Sequence, residues 1–257
     1  MKTDLDLIVA DVSTKCRQLK IVPIFDVHIG AKEFCESEFV DYLNKYKDDP
    51  DAYFIIGGDI INNSIRTSIA NPYAETMRPS EQKRYACKLL EPIKDRILCA
   101  VSGNHEQRSR KEVDEDIIYD ICAKLDIEDR YRENMAFVLL RVPKATRKDG
   151  RNWCYTIGVT HGGGNTRKAT SLGYAIDNLD VLVVGHTHKP DDMPSAKLSI
   201  DIQNKKITRK QFGVLVASSW LEWGGYSARG MYLPTARVSQ EILLDTDQKH
   251  IEIKQGW

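Results

Sequence analysis

Short apolar runs alternate with amphipathic segments over the first two-thirds of the chain. The runs are rich in Val and Ile and have the length of buried strands, whereas the segments between them repeat apolar positions with a helical period. Strands are predicted at 19–25, 52–58, 96–102, 135–142, 153–160 and 181–184. Helices are predicted at 36–47, 80–91, 112–125 and about 167–178. This alternation predicts βαβ units, whose strands lie side by side in a parallel sheet.

The last third of the chain is mostly β in pattern. Apolar runs recur at 212–218, 236–245 and 250–254, and a polar turn separates the last two. Earlier, the polar loop 143–152 joins two strands in what the pattern indicates is a hairpin. No Pro/Gly/Ser-rich linker divides the chain. We therefore expect one α/β domain spanning 1–257, with two packed sheets flanked by helices.

The balance of basic and acidic residues limits the classes of function that fit this chain. The 257 residues include 37 basic and 37 acidic side chains, so the formal net charge is zero. This balance argues against a strongly basic protein that coats nucleic acid. It does not exclude a nuclease, because bound metal ions bring positive charge that the sequence does not count.

Cysteine usage and the N-terminal segment favour a cytoplasmic protein. The six cysteines are scattered without a CxxC pair, so we expect free thiols in a reducing compartment. The first 15 residues carry acidic side chains within a short apolar stretch, unlike a signal peptide. No apolar run reaches the length that spans a bilayer, so no membrane partner is expected.

Polar motifs follow directly on five of the apolar runs. In chain order they are Asp26-Val27-His28, Gly58-Asp59, Asn104-His105, His161 and His186-Thr187-His188. Carboxylate, amide and imidazole groups are the ligands that borderline divalent metals accept. Because open α/β sheets place their active sites at the carboxyl ends of strands, the motifs predict a metal-dependent active site.

Each motif alone has an ordinary structural interpretation. Asp26 with His28 is typical of a surface pair at a strand end, Gly103-Asn104 of a turn, and the pair His186 and His188 of a polar rim. It is far less expected that five unrelated motifs occur in this order, each directly after a predicted strand, than that all five belong to one metal site.

The ordered set resembles the calcineurin-like metallophosphoesterase family. The matching motifs are Asp-x-His, Gly-Gly-Asp-x-x-Asn, Gly-Asn-His-Glu, His-Gly-Gly and Gly-His-Thr-His, and the resemblance covers residues 21 to about 190. It implies a four-layer αββα sandwich with two central mixed β-sheets flanked by helices.

The resemblance implies two adjacent divalent metal ions. The first would be held by Asp26, His28, Asp59 and His188, and the second by Asp59, Asn104, His161 and His186. Asp59 would bridge the two ions, which requires a carboxylate rather than an amide. Manganese is expected first, with iron, zinc or nickel as alternatives.

The same resemblance implies hydrolysis of a phosphate ester by in-line displacement. A hydroxide bridging the metals would attack phosphorus, and the metals would stabilise the phosphoryl oxygens. His105 is expected to be the general acid that protonates the leaving oxygen, rather than a ligand.

Two departures favour phosphodiesters over phosphoproteins. Protein serine/threonine phosphatases of this family carry Asp and then Arg after the second motif, where this chain has Asn62 and Asn63. They also lack the second histidine of the last motif, here His188. The motif Gly-His-Thr-His is more similar to the phosphodiesterase and repair-nuclease branches. We therefore expect a phosphodiesterase acting on DNA, RNA or a nucleotide.

Two other functions stay open. A phosphomonoesterase acting on phosphoproteins or small molecules would use the same metal ligands. A catalytically silent scaffold could keep the fold without turnover, although the intact ligand set argues against it.

Further candidates are basic residues and two unassigned segments. Arg108 and Arg167 are expected to contact substrate phosphate, and Lys168 is a similar candidate, with a solvated surface as the alternative for each. The loop 63–79 is long enough to cover the site. The aromatic segment 219–234 could stack the bases of a single strand, but packing or a homo-oligomer contact is preferred because the chain lacks a basic excess.

Overall fold

The residues that the computed structural model describes (5–12, 16–68, 71–143, 152–163 and 166–256) form two mixed β-sheets of six strands each. The strands are β1 (Leu7–Asp11), β2 (Gln18–Ile24), β3 (Ala52–Ile56), β4 (Ile97–Val101), β5 (Tyr131–Arg132), β6 (Met135–Pro143), β7 (Asn152–Thr160), β8 (Val181–Val184), β9 (Asp191–Asp201), β10 (Lys206–Val216), β11 (Ser239–Asp245) and β12 (Ile251–Gly256). The helices are α1 (Glu36–Lys47), α2 (Pro79–Leu90), α3 (Glu106–Val113), α4 (Ile117–Lys124), α5 (Thr166–Ala175) and α6 (Gly225–Arg229).

One sheet has the strand order β1-β6-β7-β8-β10-β9, and the other has the order β12-β11-β2-β3-β4-β5. Neighbouring strands from β2 to β5 are parallel, as are β7, β8 and β10. Antiparallel strands complete each sheet, including the predicted hairpin of β6 and β7. Each sheet therefore has a block of parallel strands whose carboxyl ends face the same way.

Three apolar layers hold the sandwich together. Between the sheets, side chains such as Ile21 and Ile55 from one sheet meet Ile157 and Val183 from the other. On the outer face of the β2–β5 sheet, a second layer includes Phe39 from α1 and residues of α2 and α4. On the outer face of the other sheet, a third layer lies under α5. The expected αββα sandwich is confirmed.

The structure corrects several predicted elements. The helix predicted at 112–125 starts later, as α4 (Ile117–Lys124). Helix α3 (Glu106–Val113) was not predicted, and it ends at Asp114, which takes a left-handed conformation with φ of 56°. Strands β1 and β9 were not predicted. Both lie at sheet edges. Strand β9 is mostly polar and exposed, so it gives little apolar signal. Strand β1 does contain a short apolar run, but acidic residues flank it on both sides.

The aromatic segment 219–234 divides into a buried and an exposed part. Trp220 is buried against Phe39 and Tyr42 of α1, as the packing interpretation predicted. In contrast, Met231 is 88% exposed and Leu233 is 76% exposed. The proposed oligomer contact stays a prediction for this exposed part.

The structure bears on the cysteines and on the lengths of the helices. All six cysteines are free thiols, of which three are buried. None of the helices in the described ranges is long and apolar enough to span a membrane.

Candidate metal centre

The five polar motifs meet at the edge where both sheets end. Asp26 and His28 follow β2, Asp59 follows β3, and Asn104 and His105 follow β4, all in one sheet; His161 follows β7, and His186 and His188 follow β8 in the other. The sequence predicts that all five motifs follow strands, and the structure shows that these strands belong to two different sheets. Backbone N–H of His186 donates to Asp26 Oδ2 at 2.9 Å and so joins the two halves.

Left-handed backbone conformations aim the side chains inward. The value of φ is positive at five candidate ligands, namely Asp26 (48°), His28 (54°), Asp59 (51°), His186 (72°) and His188 (55°). Aspartate, asparagine and histidine tolerate this region better than other residues with a Cβ. Such conformations cluster at functional sites, where the surrounding structure must enforce them.

A first group of ligands surrounds the position between His28 and His188. The Nε2 atoms of these two imidazoles lie 3.3 Å apart, and His188 Nε2 lies 3.1 Å from Asp26 Oδ1. Asp59 Oδ2 approaches His28 Nε2 to 3.8 Å. Asp26, His28 and Asp59 are buried, whereas the His188 side chain is 29% exposed, so solvent reaches this half of the site only beside His188.

A second group shares Asp59 with the first. His161 Nε2 lies 3.3 Å from Asp59 Oδ2 and 3.0 Å from Asn104 Oδ1. His186 Nδ1 lies 2.7 Å from the same Asn104 oxygen. Asn104 and His186 are exposed, so this half of the site opens to solvent. All seven predicted ligands are therefore brought together, with Asp59 between the two groups.

The hydrogen bonding of His161 shows that this donor set fits a cation. Its Nδ1 lies 2.9 Å from the carbonyl oxygen of Gly57, which can only accept, so Nδ1 carries the proton. In the neutral ring, Nε2 then has a lone pair that faces the oxygens of Asp59 and Asn104. Three acceptors facing one another are stable only around a positive charge, either a proton or a metal ion.

His28 is held in the same tautomer. Its Nδ1 lies 3.2 Å from the side-chain oxygen of Asn62, which leaves the Nε2 lone pair directed towards His188. Burial, followed by the neighbouring His105, lowers the pKa of His28 well below its usual value. A neutral imidazole with a free Nε2 is the form that binds metal.

Each half of the site also holds a histidine beside a carboxylate. In the first half, burial opposes charge on His188, but Asp26 outweighs it and raises the pKa of His188. Burial opposes charge on both Asp59 and His161, but their proximity outweighs it. The pKa of Asp59 is held well below its usual value by His105 and His161, and Asp59 raises the pKa of His161 to about 10. In the protein without metal, His161 Nε2 is therefore protonated at the position where the second metal would bind.

His105 lies beside the ligand groups. Its Nε2 is 3.7 Å from Asp59 Oδ2, and its Nδ1 donates to the backbone carbonyl of Asn62 at 2.7 Å. The Asn62 side chain is an uncharged amide and cannot support this histidine by charge. In the structure the Asn62 carbonyl orients the imidazole instead, and it also accepts from Arg108 Nη1 at 3.1 Å.

Glu106 supports the loops of the site, a role that the sequence analysis did not predict. It is 1% exposed, and its carboxylate accepts the backbone N–H groups of Asp59, Ile60, Ile61 and Gly103 at 2.8–3.1 Å. Burial, followed by the charge of Asp59, raises the pKa of Glu106 to about 7. The available signal was an acidic residue directly after Asn104-His105 at the start of α3. Glu106 ties the Asp59 loop to the Asn104 loop.

The remaining candidates differ in position. Arg108 flanks His105, as described, whereas Arg167 lies exposed in the first turn of α5. Within the described residues, no hydrogen bond or ion pair links the Arg167 side chain to the ligand groups. Its role in substrate binding stays a prediction, as does that of Lys168.

Two packed mixed sheets with ligand groups at their shared edge define an αββα protein with a candidate dinuclear metal centre. The sequence profile of the family described as calcineurin-like phosphoesterase matches residues 19–190. The chain belongs to this family, which places it among the metal-dependent phosphoric ester hydrolases.

Similar solved structures include two bacterial proteins. A metallophosphoesterase from Sphaerobacter thermophilus is 14% identical with a TM-score of 0.46, covering 93% of this chain and 89% of that one. A Thermotoga maritima protein solved by NMR in solution is 16% identical with a TM-score of 0.38, covering 92% of this chain and 99% of that one. Comparison with curated proteins gave no match.

Gly103 offers a test of the loop geometry. A Cβ atom at this position would lie 2.1 Å from Asp59 Oδ1, so Gly103→Ala must displace the carboxylate. We expect phosphoesterase activity to fall at least about 100-fold, the usual effect of moving a catalytic group by about 1 Å. The matched control is Gly163→Ala, where a Cβ meets nothing within 4 Å. Equal activity of the two variants, each with its melting temperature measured, would contradict this account.

Proposed function

We propose that this protein is a dinuclear metal-dependent phosphodiesterase acting on nucleic acid or nucleotides. Asp26, His28, Asp59 and His188 would hold one ion. Asp59, Asn104, His161 and His186 would hold the other. The observation that carries the proposal is the convergence of acceptor atoms at His161 Nε2, Asp59 Oδ2 and Asn104 Oδ1, all within 3.3 Å of the imidazole nitrogen.

When bound, two divalent ions lower the pKa of a shared water and neutralise charge on the phosphoryl oxygens. The chain's own groups do the rest. Arg108 is half-buried beside His105 and has a guanidinium that matches two phosphate oxygens. His105 holds a proton on Nδ1 and presents Nε2 to the site. To act as general acid it must take up a second proton at Nε2 and transfer it to the leaving oxygen.

The environment of Asn63 supports a diester substrate. Protein phosphatases of the family have a cationic Arg here, but Asn63 is fully buried and its amide donates to the His105 carbonyl at 2.8 Å. It therefore brings no charge to the substrate. A monoester dianion needs that charge more than a diester monoanion does. We also propose manganese as the working metal and the cytoplasm as the location, which the free cysteines support.

Metal binding should release protons. In the metal-free protein His161 is protonated beside Asp59, with a pKa of about 10. A metal needs the neutral nitrogen, so binding between about pH 7 and 9 should release about one proton from this pair, and affinity should rise with pH. Without metal, the protonated pair stabilises the fold below the unfolded histidine pKa and this contribution is lost as the pH rises through about 10.

Titration calorimetry in two buffers of different ionisation enthalpy measures that proton, and elemental analysis measures the metals. Binding of fewer than two ions, or binding without proton release, would show that the proposed dinuclear site is wrong.

Substrate class is tested with manganese-loaded protein. We expect hydrolysis of bis-p-nitrophenyl phosphate to exceed that of p-nitrophenyl phosphate, because Asn63 brings no positive charge to the position where the protein phosphatases carry an Arg. Labelled single- and double-stranded DNA, RNA and nucleotide diesters then identify the physiological class. Preference for the monoester would establish the phosphomonoesterase instead, and metal binding without activity on any ester would establish the silent scaffold.

His105→Ala should keep both metals and lose turnover selectively. General acid catalysis contributes about 10²–10⁴-fold, and it matters most when the leaving group is a poor one. The loss should therefore be large for a diester with an alkoxide leaving group and small for one that releases p-nitrophenol. Comparing kcat for the two substrates measures it. An equal loss on both would show that His105 serves only to hold the site together.

A further inference from the structure

A hydrogen-bonded chain runs from the ligand His28 to the segment before α2. His28 Nδ1 lies 3.2 Å from Asn62 Oδ1, and Asn62 Nδ2 donates to Glu75 Oε1 at 2.6 Å. Asn62 is 9% exposed, so water has little access to replace either bond. Glu75 belongs to the loop 63–79, which the sequence predicted to cover the site.

The direction of each hydrogen bond in this series follows from which group can donate a proton and which can only accept one. An ionised carboxylate only accepts, so Glu75 requires the amide nitrogen of Asn62 to face it. The amide oxygen must then face His28, whose Nδ1 must carry the proton. The remaining nitrogen, Nε2, is left with a lone pair directed to the first metal position. One carboxylate outside the ligand groups thereby determines the tautomer of a buried ligand.

The position of Glu75 is itself held by the surrounding residues. Its Oε2 accepts from Gln82 Nε2 at 2.6 Å, and Gln82 is fully buried. Gln82 Oε1 accepts the backbone N–H of Asn63 at 2.9 Å, and Thr76 N donates to the carbonyl of Gly30 at 2.9 Å. The loop is therefore docked on two of the three backbone segments that carry ligands of the first metal, those that follow β2 and β3.

We propose that Glu75 is a positioning residue that acts through Asn62 to present His28 Nε2 to the first metal. This inference rests on the proposed function, since it assigns a role to the metal that His28 would bind. Carboxylates commonly orient metal-binding imidazoles by direct hydrogen bonds. Here an amide transmits the same orientation across one additional side chain.

Glu75→Gln tests the proposal at constant side-chain size. A glutamine both donates and accepts, so it no longer determines which way Asn62 faces. We expect affinity for one of the two metals to fall about 10–100-fold, the usual effect of losing such a partner, while the other metal is retained. In metal-free protein, ¹⁵N NMR of the His28 ring should shift from the Nδ1-protonated tautomer towards a mixture.

A double variant distinguishes loss of the Asn62 orientation from a general disturbance of the loop. In Asn62→Asp with Glu75→Gln, the new carboxylate accepts from both neighbours, so His28 again carries its proton on Nδ1. We expect tautomer and metal affinity to return towards wild type. The matched control is Glu81→Gln, which makes the same charge change near the start of α2, where Glu81 accepts from Arg78 N at 2.8 Å. It should bind both metals like wild type.

The outcomes distinguish the two proposals. If wild type binds two metals and Glu75→Gln does the same with an unchanged His28 tautomer, the role of Glu75 is wrong and the proposed function stands. If Glu75→Gln fails and the double variant fails equally, Glu75 acts by packing alone, which also overturns the inference. If wild type binds no metal, both proposals fall.

Discussion

The structure depends on a set of acceptor atoms that face one another around Asp59. Around Asp59, imidazole nitrogens, a carboxylate and an amide oxygen face one another at 3.0–3.8 Å. Such a group of lone pairs is repulsive unless a cation lies among them. The metal-free protein resolves part of this by protonating His161. A pair of divalent ions would resolve all of it, and the surrounding fold can be understood as the frame that holds these atoms together.

That frame is made mainly of backbone. Left-handed conformations at five candidate ligands direct their side chains inward, and these conformations persist only because neighbours enforce them. Glu106 enforces one such turn by accepting four N–H groups from two loops. Gly58 and Gly103 let those loops touch: a Cβ on Gly58 would lie 2.3 Å from Gly103 N. Rigid loops at the ends of buried strands give the precision that a two-metal site needs.

The Asn62 position shows how one residue can serve two histidines. Its side chain reaches His28, and its backbone carbonyl reaches His105 and Arg108. The candidate ligand and the candidate acid are thus oriented from a single point. A carbonyl dipole carries less charge than the carboxylate that protein phosphatases use, so it orients His105 without strongly favouring its protonated form. Consistent with this, burial dominates and lowers the pKa of His105.

Strand-forming runs, their order and the residues that end them could be predicted from the sequence, because buried strands need uninterrupted apolar residues and metals need particular ligand atoms. All seven candidate ligands were recognised in this way. The edge strand β9 was not predicted, because its exposed sequence is mostly polar. The edge strand β1 was missed as well, because its apolar run is short and lies between acidic residues.

Only the tertiary structure decided which groups support the ligands. Glu75, Glu106 and Asn62 act across 13 to 47 positions of the chain, and no local pattern records which donor meets which acceptor at that separation. Candidate ligands can be recognised from the sequence, because the type of side chain and its place after a predicted strand are both visible there. Orientation is a matter of hydrogen-bond geometry between distant loops, and it exists only once the two sheets have packed.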